Sequence, residues 1–360
     1  MSRDEAPQPI PTAANLAALK EANHLWDVFA ELRSVKELKT QQNKPYMLLE
    51  LADVHSVLEA RIWSEHEAAM RTAAALAPRT LVKARGQFTI WKGRPQFVIH
   101  QLRALGPDER PDGFDLSQVV DPALAAVEDL ACETLVFDIE TVPCCDLRDL
   151  PPGIVESLST SANRKDMEPG ALMGLSPFFG KIVSLAVADG ETARSFEDVS
   201  VFAVPPEGLA VRENPPWLRL VEERDLLRYF WALASRAETI VTFNGRGFDV
   251  PFLVTRSLIH GIPARVDLVS NRFSLRPHLD LYELLTQRDR GPSKLDVVCW
   301  ALDIESPKQS MSGAEVAPAY AQGRIAEIAE YNAHDVRATC QVYQRVRDMI
   351  LRYRSDWPGR

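Results

Sequence analysis

Apolar and polar residues alternate along the first third of the chain, and this period of two is typical of strands with one buried face. The alternation predicts five strands, over residues 26–39, 46–51, 56–63, 80–90 and 94–105. An Ala-rich segment between the third and fourth strands predicts a helix over residues 65–76, with Ser64 as its N-cap.

From residue 134 onwards the pattern changes to short apolar runs separated by segments of helical period. The apolar runs predict strands over residues 134–137, 181–188, 192–196, 238–243 and 278–281. Helices are predicted over residues 153–158, 222–235, 250–260, 293–304 and 324–353, with Ser293 as the cap of the fourth. Most of residues 143–180 and all of residues 204–217 are predicted to be irregular, because Pro, Ser and Gly interrupt any period there.

The composition is that of an ordinary globular protein, since 46% of the 360 residues are hydrophobic and 25% are charged. A chain of this length predicts two domains. No apolar run is long enough to cross a membrane, and the first residues lack the apolar segment of a signal peptide, so we expect a cytoplasmic protein. The five cysteines lack metal-binding spacing and are expected to be reduced thiols.

The formal net charge of −9 argues against indiscriminate nucleic-acid binding, but the charge is unevenly distributed. Residues 22–105 contain 12 Lys and Arg against 8 Asp and Glu, a net charge of +4, which leaves −13 for the rest of the chain. We therefore expect a basic domain followed by an acidic one. The expected boundaries give a flexible lead at residues 1–21, the basic domain at 22–106, a linker at 107–133 and the acidic domain at 134–353.

Three strands, a helix and two more strands follow the order of an OB-fold barrel. The segments N-K-P-Y (43–46), A-R-I-W (60–63) and K-A-R-G-Q-F (83–88) also resemble those of nucleic-acid-binding OB-folds. Such barrels bind single strands through stacked aromatic rings and a basic groove. The candidate binding residues are Tyr46, Lys83, Arg85, Trp91, Lys92 and Arg94, with Lys44, Trp63 and Phe88 as further candidates. The alternative for each aromatic residue is a place in the barrel core.

Five residues of the second domain could carry chemistry. Asp138 and Glu140 are separated by one residue at the end of a predicted strand and therefore point to one side. Two such carboxylates repel each other unless a cation compensates, and hard oxygen ligands suit magnesium or manganese. Asp249 follows a Gly-containing turn at the start of a helix, and Tyr331 and Asp335 lie four apart on another. The alternatives are a solvated strand end, a helix cap and a solvated helix face.

Taken together, these motifs resemble the DEDD exonucleases of the ribonuclease-H-like superfamily, in the subclass with Y-x-x-x-D. The likeness is to predicted 3′–5′ exonucleases related to the proofreading domain of family B DNA polymerases. The segments that carry it are D-I-E-T-V-P (138–143), F-G-K-I-V-S-L (179–185), N-G-R-G-F-D (244–249), H-L-D-L (278–281), S-K-L-D (293–296) and Y-N-A-H-D-V-R-A-T (331–339). The histidine subclass carries its His at the position of Glu330, and His334 has no assigned role.

The resemblance implies an α/β ribonuclease-H-like exonuclease domain with a mixed sheet flanked by helices, preceded by a small all-β OB-fold barrel. It also implies two Mg²⁺ or Mn²⁺ ions that clamp the scissile phosphate. In this scheme Asp138 bridges both ions, and Glu140 and Asp335 complete the site of the ion that activates water. Asp249 holds the second ion, partly through water, and Tyr331 orients the attacking water.

The predicted activity is 3′–5′ hydrolysis of single-stranded nucleic acid, with DNA somewhat favoured over RNA. Asn244 and Phe248 are expected to shape the pocket of the terminal nucleotide, although Phe248 fits a core position equally well. The alternative is a catalytically inactive protein that binds single strands, or docks another protein, through the OB-fold. No membrane partner is expected, and the sequence does not identify a protein partner.

Overall fold

The computed structural model describes residues 10–20, 22–208, 214–270, 274–286, 294–307, 311–355 and 357. These residues form two compact units that divide between Pro122 and Ala123. None of the helices in this part of the chain combines the length and the hydropathy that a bilayer crossing requires.

The first unit is built around a closed five-stranded barrel. Its elements are β1 (Leu25–Lys39), β2 (Pro45–Ala52), β3 (Val57–Trp63), α1 (Glu67–Ala75), β4 (Leu81–Trp91) and β5 (Arg94–Ala104). The strands are hydrogen-bonded in the order β1-β2-β3-β5-β4, and β4 also pairs with β1. All pairs are antiparallel except β3 with β5. The predicted strands agree with these bounds within a few residues.

Alternate residues of each strand fill the barrel interior, as the period of two predicts. Phe97 and Ile99 of β5, for example, are fully buried in one cluster with the inward residues of the other strands. The register of β4 with β5 shifts between Arg85 and Gly86. A Cβ atom on Gly86 would lie 2.1 Å from the carbonyl oxygen of Val98, so only glycine fits at this close approach.

The start of α1 differs from the prediction. The residue before its first turn is His66, which makes no capping side-chain hydrogen bond, so the prediction of Ser64 as the N-cap is wrong. Glu67 is the first helical residue, and its carboxylate lies in the first turn, where the helix dipole favours a negative charge.

The expectation of a flexible lead is wrong for residues 10–20, while residues 1–9 lie outside the described residues. Ala13, Leu16 and Leu19 are buried in the barrel cluster. The amide of Leu16 donates to the Asp53 carboxylate at 2.5 Å. The Pro- and Ala-rich composition predicted a loose segment, but its apolar side chains pack against the barrel.

The expected linker, residues 107–133, contains the division between the two units, and about half of its residues are exposed. Its first part belongs to the first unit and includes α2 (Leu116–Val119). Just before α2, the ring of Phe114 makes a T-shaped contact with that of Phe29, with ring centroids 5.1 Å apart. In the second unit, Val127 is fully buried. A few widely spaced apolar residues thus anchor an otherwise polar segment.

The second unit contains a six-stranded mixed sheet with the order β11-β10-β6-β7-β8-β9. Its strands are β6 (Thr134–Pro143), β7 (Gly180–Asp189), β8 (Ser200–Ala203), β9 (Leu218–Leu220), β10 (Thr239–Thr242) and β11 (His278–Asp280). β6 runs parallel to β10 and antiparallel to β7. A mixed α/β architecture is therefore confirmed for this unit.

The helices of the second unit are α3 (Pro152–Arg164), α4 (Pro169–Gly174), α5 (Glu223–Ala234), α6 (Asp249–His260), α7 (Leu281–Thr286), α8 (Leu295–Ala301), α9 (Gly313–Ala321) and α10 (Ile325–Met349). The long helix α10 packs across β6, β7 and β8. Val336, Val342 and Tyr343 of this helix are fully buried in the main core cluster. The central strand of the sheet therefore lies directly against the last helix.

Several local predictions for this unit are wrong. Within residues 143–180, α3 confirms the helix predicted at 153–158 but extends to Arg164, and α4 was not predicted. Both helices have a proline in the first turn, where proline is tolerated, so these prolines mark helix starts and not irregular chain. The strand predicted at residues 192–196 is absent from the structure, and the short strands β8 and β9 replace it. Strands of three or four residues are too short to show a period. Ser293 lies outside the described residues, and α8 begins after Lys294.

Candidate active site

Strand β6 carries Asp138 and Glu140 at the centre of the sheet. The strand continues to Pro143, so both carboxylates lie within it and not beyond its end. Both are half-buried on one face, while Ile139 between them is buried on the other. Across the antiparallel pair, Glu140 lies opposite Ser184 of β7.

Helix α10 brings a third carboxylate and a phenol to this face. The carboxylate oxygens of Asp138, Glu140 and Asp335 lie within 4.8 Å of one another. Tyr331, one turn earlier on the helix, is buried near the Asp335 carboxylate, whose charge contributes to raising the pKa of the phenol. Two elements nearly 200 residues apart in the chain thus meet at one acidic cluster.

Asp249 enters the same region from the start of α6. Its side chain is 4% exposed, and its Oδ1 accepts a hydrogen bond from the backbone amide of Ile139 at 3.2 Å. Because Ile139 lies between Asp138 and Glu140 on β6, this bond places the fourth predicted carboxylate beside the other three.

The turn before Asp249 is fixed by a residue to which the sequence analysis assigned no role. Asp280, at the end of β11, accepts hydrogen bonds from the backbone amides of Asn244 and Arg246, both at 2.9 Å. A Cβ atom on Gly245 would lie 2.4 Å from the Thr242 hydroxyl, so the turn requires glycine there. The H-L-D-L segment of the sequence includes Asp280. That this residue binds the turn after β10 becomes evident only from the pairing of β11 with β10 in the structure.

Asn332 is a second residue that the sequence analysis missed. It is fully buried, and its Nδ2 donates to Oδ2 of Asp138 at 2.7 Å. Its Oδ1 accepts from the hydroxyl of Ser184 at 3.2 Å. The sequence signal for Asn332 was its position. It is a polar residue on the buried face of α10, directly after Tyr331 and three residues before Asp335.

The carboxyl groups of the acidic cluster are crowded together and partly buried, and both conditions raise their pKa values. Burial raises the pKa of Asp138, and the charges of Asp249, Asp335 and Glu140 raise it further, while the Asn332 hydrogen bond partly opposes them. Burial also raises the pKa of Glu140, followed by the charges of Asp335 and Asp249. A cation between these groups would relieve both effects.

The pKa of Asp249 is raised to about 7, chiefly by burial. The hydrogen bond from Ile139 opposes the rise, and the charges of Asp280 and Asp335 add to it. Burial also raises the pKa of the Tyr331 phenol, as do the neighbouring carboxylate charges. The Tyr331 phenol therefore remains protonated near neutral pH.

The other residues predicted near this site have distinct places. Asn244 is exposed in the turn with a positive φ of 64°, a conformation that Asn tolerates better than most residues. Phe248 is half-buried, with its ring centroid 5.5 Å from that of Phe252. His334 is half-buried, and its ring lies 5.1 Å from Phe196.

A separate group on the barrel brings together Tyr46, Arg61, Trp63, Trp91 and Lys92, which we term the aromatic cluster. The Tyr46 and Trp63 rings are 5.2 Å apart. The Arg61 guanidinium lies 5.9 Å, 6.0 Å and 5.2 Å from the ring centroids of Tyr46, Trp63 and Trp91. Lys92 lies 4.5 Å from the Trp91 centroid, and Trp91 is 48% exposed. The sequence analysis did not select Arg61.

Lys83 and Arg85 have a different environment, on strand β4 beside Asp27 of β1. Lys83 Nζ is 3.0 Å from the Asp27 carboxylate, and Arg85 Nε is 2.6 Å from it. Burial acts to raise the pKa of Asp27, but these two cations outweigh it and hold the pKa below its ordinary value. Arg94 is exposed at the start of β5, whereas Phe88 is a core residue.

Comparison with known proteins finds a family similar to part of the second unit. Residues 178–353 match a family described as predicted 3′–5′ exonucleases related to the exonuclease domain of PolB. Asp249, Tyr331 and Asp335 lie within the matched segment, while Asp138 and Glu140 precede it. The acidic cluster is thus completed by a strand outside the matched region.

The chain is also similar to DNA polymerases. It is 24% identical over 180 residues to a DNA polymerase of Pyrococcus glycovorans and 22% identical over 179 residues to one of Desulfurococcus sp. (strain Tok). Each alignment covers 45% of this chain and 22% of the polymerase. The chain therefore spans about a fifth of the length of these relatives.

Two solved structures give further alignments. The family B DNA polymerase of Pyrobaculum calidifontis aligns over 88% of this chain and 45% of its own, at 15% identity and a TM-score of 0.41. A replication protein A heterotrimer bound to ssDNA aligns over 28% of this chain and 71% of that chain, at 16% identity and a TM-score of 0.20.

The raised carboxylate pKa values predict how pH affects the metal-free protein. The pKa of Asp249 is about 7 in the folded state and about 3.9 in an unfolded chain, so between these values the folded state binds more protons. We expect the free energy of unfolding to fall as pH rises from about 4 to about 7. Thermal unfolding in chelator at pH 5.5 and 8 measures this trend.

In the variant Asp249→Asn, the decrease between the two pH values is expected to be smaller, because the titrating group is gone. Added Mn²⁺ should raise the unfolding temperature more at pH 8 than at pH 5.5, since protons compete with the cation. A pH dependence that is unchanged in Asp249→Asn would show that this group does not titrate as described.

Proposed function

We propose that this chain is a metal-dependent 3′–5′ exonuclease that hydrolyses single-stranded nucleic acid, with DNA favoured over RNA. The observation that supports it is the meeting of Asp138 and Glu140 from β6 with Asp335 and Tyr331 from α10, with Asp249 bonded to the same strand. This set corresponds to the tyrosine subclass of the DEDD exonucleases.

The cluster fits divalent cations. It offers carboxylate oxygens, which are the ligands that Mg²⁺ and Mn²⁺ prefer, and the pKa values of its carboxyl groups are raised by burial and by their mutual repulsion, both of which a bound cation would offset. Asp138, Glu140 and Asp335 would hold one ion, with Asp138 shared toward a second ion near Asp249. When bound, such ions polarise a phosphodiester and lower the pKa of water.

The remaining groups position the reactants. Tyr331 keeps its proton, lies near Asp335, and would orient the attacking water through its hydroxyl. Asn244 and Phe248, in the turn before Asp249, would contact the terminal nucleotide. Because β6, α6 and α10 are regular elements, the four carboxylates and Tyr331 are held with little freedom.

We propose that the barrel is an OB-fold that supplies the affinity for single strands. The closed strand order and the helix between β3 and β4 agree with that fold. OB-folds bind oligonucleotides on the face of the second and third strands and on the loop between the fourth and fifth. Tyr46, Trp63 and Trp91 of the aromatic cluster lie at these positions, whereas Lys83 and Arg85 are already paired with Asp27.

Digestion of single strands tests the activity directly. With Mg²⁺ or Mn²⁺, we expect a 5′-labelled oligonucleotide to shorten stepwise from its 3′ end, because the site is proposed to attack the terminal phosphodiester. Chelator and the variant Asp138→Ala should both abolish digestion. Parallel DNA and RNA strands show which sugar is preferred.

Asp225→Ala, which removes an exposed carboxylate of α5, is the matched control and should digest like the wild type. Digestion that persists in Asp138→Ala would contradict the metal-binding assignment. Tight binding without any digestion by the wild type would favour the alternative of an inactive single-strand-binding or adaptor protein.

The variant Tyr331→Phe is expected to lower kcat about 10²-fold, because it removes one positioned hydroxyl while keeping the ring. Single-turnover digestion measures the loss. Tyr343→Phe is the matched control on the same helix, since its hydroxyl donates to Glu191 at 2.6 Å and not to the acidic cluster. Equal losses in both variants would indicate a general effect on α10 and would remove Tyr331 from the mechanism.

Replacing the exposed ring of the aromatic cluster tests the barrel. In the inactive Asp138→Ala background, Trp91→Ala should weaken binding of a single-stranded oligonucleotide about tenfold, since one stacked base contributes about 1–3 kcal/mol. Fluorescence anisotropy at several salt concentrations measures this, and Lys92→Ala should reduce the salt slope by about one. Trp300→Ala removes a tryptophan that is 83% exposed in the second unit and serves as the control. Unchanged binding in Trp91→Ala would contradict the role of the barrel.

A further inference from the structure

Asn332 is a fully buried amide whose two ends have different partners. Its Nδ2 donates to Oδ2 of Asp138 at 2.7 Å, and its Oδ1 accepts from the Ser184 hydroxyl at 3.2 Å. Ser184 is itself fully buried and lies opposite Glu140 in the β6–β7 pair. A hydrogen-bonded chain therefore runs from β7 through α10 to the carboxylate at the centre of the acidic cluster.

The two partners determine the orientation of the amide. An ionised carboxylate only accepts hydrogen bonds, so the NH₂ group must face Asp138. With the amide oriented in this way, the Ser184 hydroxyl donates to its carbonyl end and anchors it. Asn332 thus presents a fixed donor to one oxygen of Asp138.

A neutral donor suits this position better than a charged one. The Asp138 carboxylate is repelled by Asp249, Asp335 and Glu140, so without a bond it would rotate away from them. A Lys or Arg would hold it but would also neutralise the charge that a cation needs. The amide of Asn332 fixes the carboxylate and leaves its full negative charge in place.

Helix α10 thereby brings two consecutive polar residues to the acidic cluster. Tyr331 lies near Asp335 on the helix itself, and Asn332 bonds to Asp138 on β6. This bond ties the helix to the strand at the point where their carboxylates converge. Any shift of α10 along β6 would break it.

We infer that Asn332 is a positioning residue that orients Asp138 for binding of divalent cations, with Ser184 fixing the amide. The inference rests on the proposed function, because it assigns the purpose of the bond to the same acidic cluster. Asn332 acts through Asp138 and need not touch the substrate.

The variant Asn332→Leu, similar in size but without hydrogen-bonding groups, tests this. Groups that orient a metal ligand typically contribute 10- to 100-fold in metal affinity, so we expect a loss of about that size in Mn²⁺ binding. Isothermal titration calorimetry and the electron paramagnetic resonance signal of free Mn²⁺ measure it without substrate or turnover.

Gln344→Leu is the matched control. Gln344 is also a buried amide on α10, but it donates to the carbonyl oxygens of Gly190 and Ala193 at 2.8 Å and 2.7 Å. We expect this variant to lose thermal stability without losing Mn²⁺ affinity. Equal losses of affinity in both variants would indicate a structural role for Asn332 and overturn the inference.

Ser184→Ala keeps the inference testable if Asn332→Leu does not fold. It removes only the donor that fixes the amide, so Mn²⁺ affinity should fall by about threefold, the effect of one hydrogen bond. If the wild type binds Mn²⁺ normally and the folded variants bind it with unchanged affinity, this inference is overturned but the proposed function is not. A wild type that neither binds Mn²⁺ nor digests nucleic acid would overturn the proposed function instead.

Discussion

Repulsion between carboxylates held away from water is the constraint on which the second unit depends. Oxygens of three acidic side chains lie within 4.8 Å of one another, and burial raises the pKa values of Asp138 and Glu140. Such an arrangement costs free energy, so the surrounding structure must impose it. A central strand paired on both sides and a 25-residue helix packed across the sheet supply that rigidity.

Two neutral groups donate hydrogen bonds to this cluster, the amide of Ile139 and the side chain of Asn332. The buried carboxylate of Asp27 has a different environment. Asp27 in the barrel is paired with Lys83 and Arg85, and its pKa is lowered. The contrast separates an acid held by ion pairs from acids that are proposed to bind a cation.

The structure shows where the basic and acidic residues of the unevenly charged chain are placed. The basic residues of the first unit do not form one uniform groove. Asp27 is paired with Lys83 and Arg85. Arg61 lies instead among the rings of the aromatic cluster. The negative charge of the second unit includes the acidic cluster, where a cation could reverse the local field for an anionic substrate. Affinity and chemistry are therefore proposed to reside in different units.

The sequence by itself determined what depends on short-range periodicity. The alternation of β1 to β5, the shared face of Asp138 and Glu140 on a strand, and the spacing of Tyr331 and Asp335 on a helix all follow from local geometry. The roles of Asn332 and Asp280, and the packing of residues 10–20, were decided only by the tertiary structure. The bond from Asn332 to Asp138 spans 194 residues of chain, and no local pattern encodes a contact over that separation.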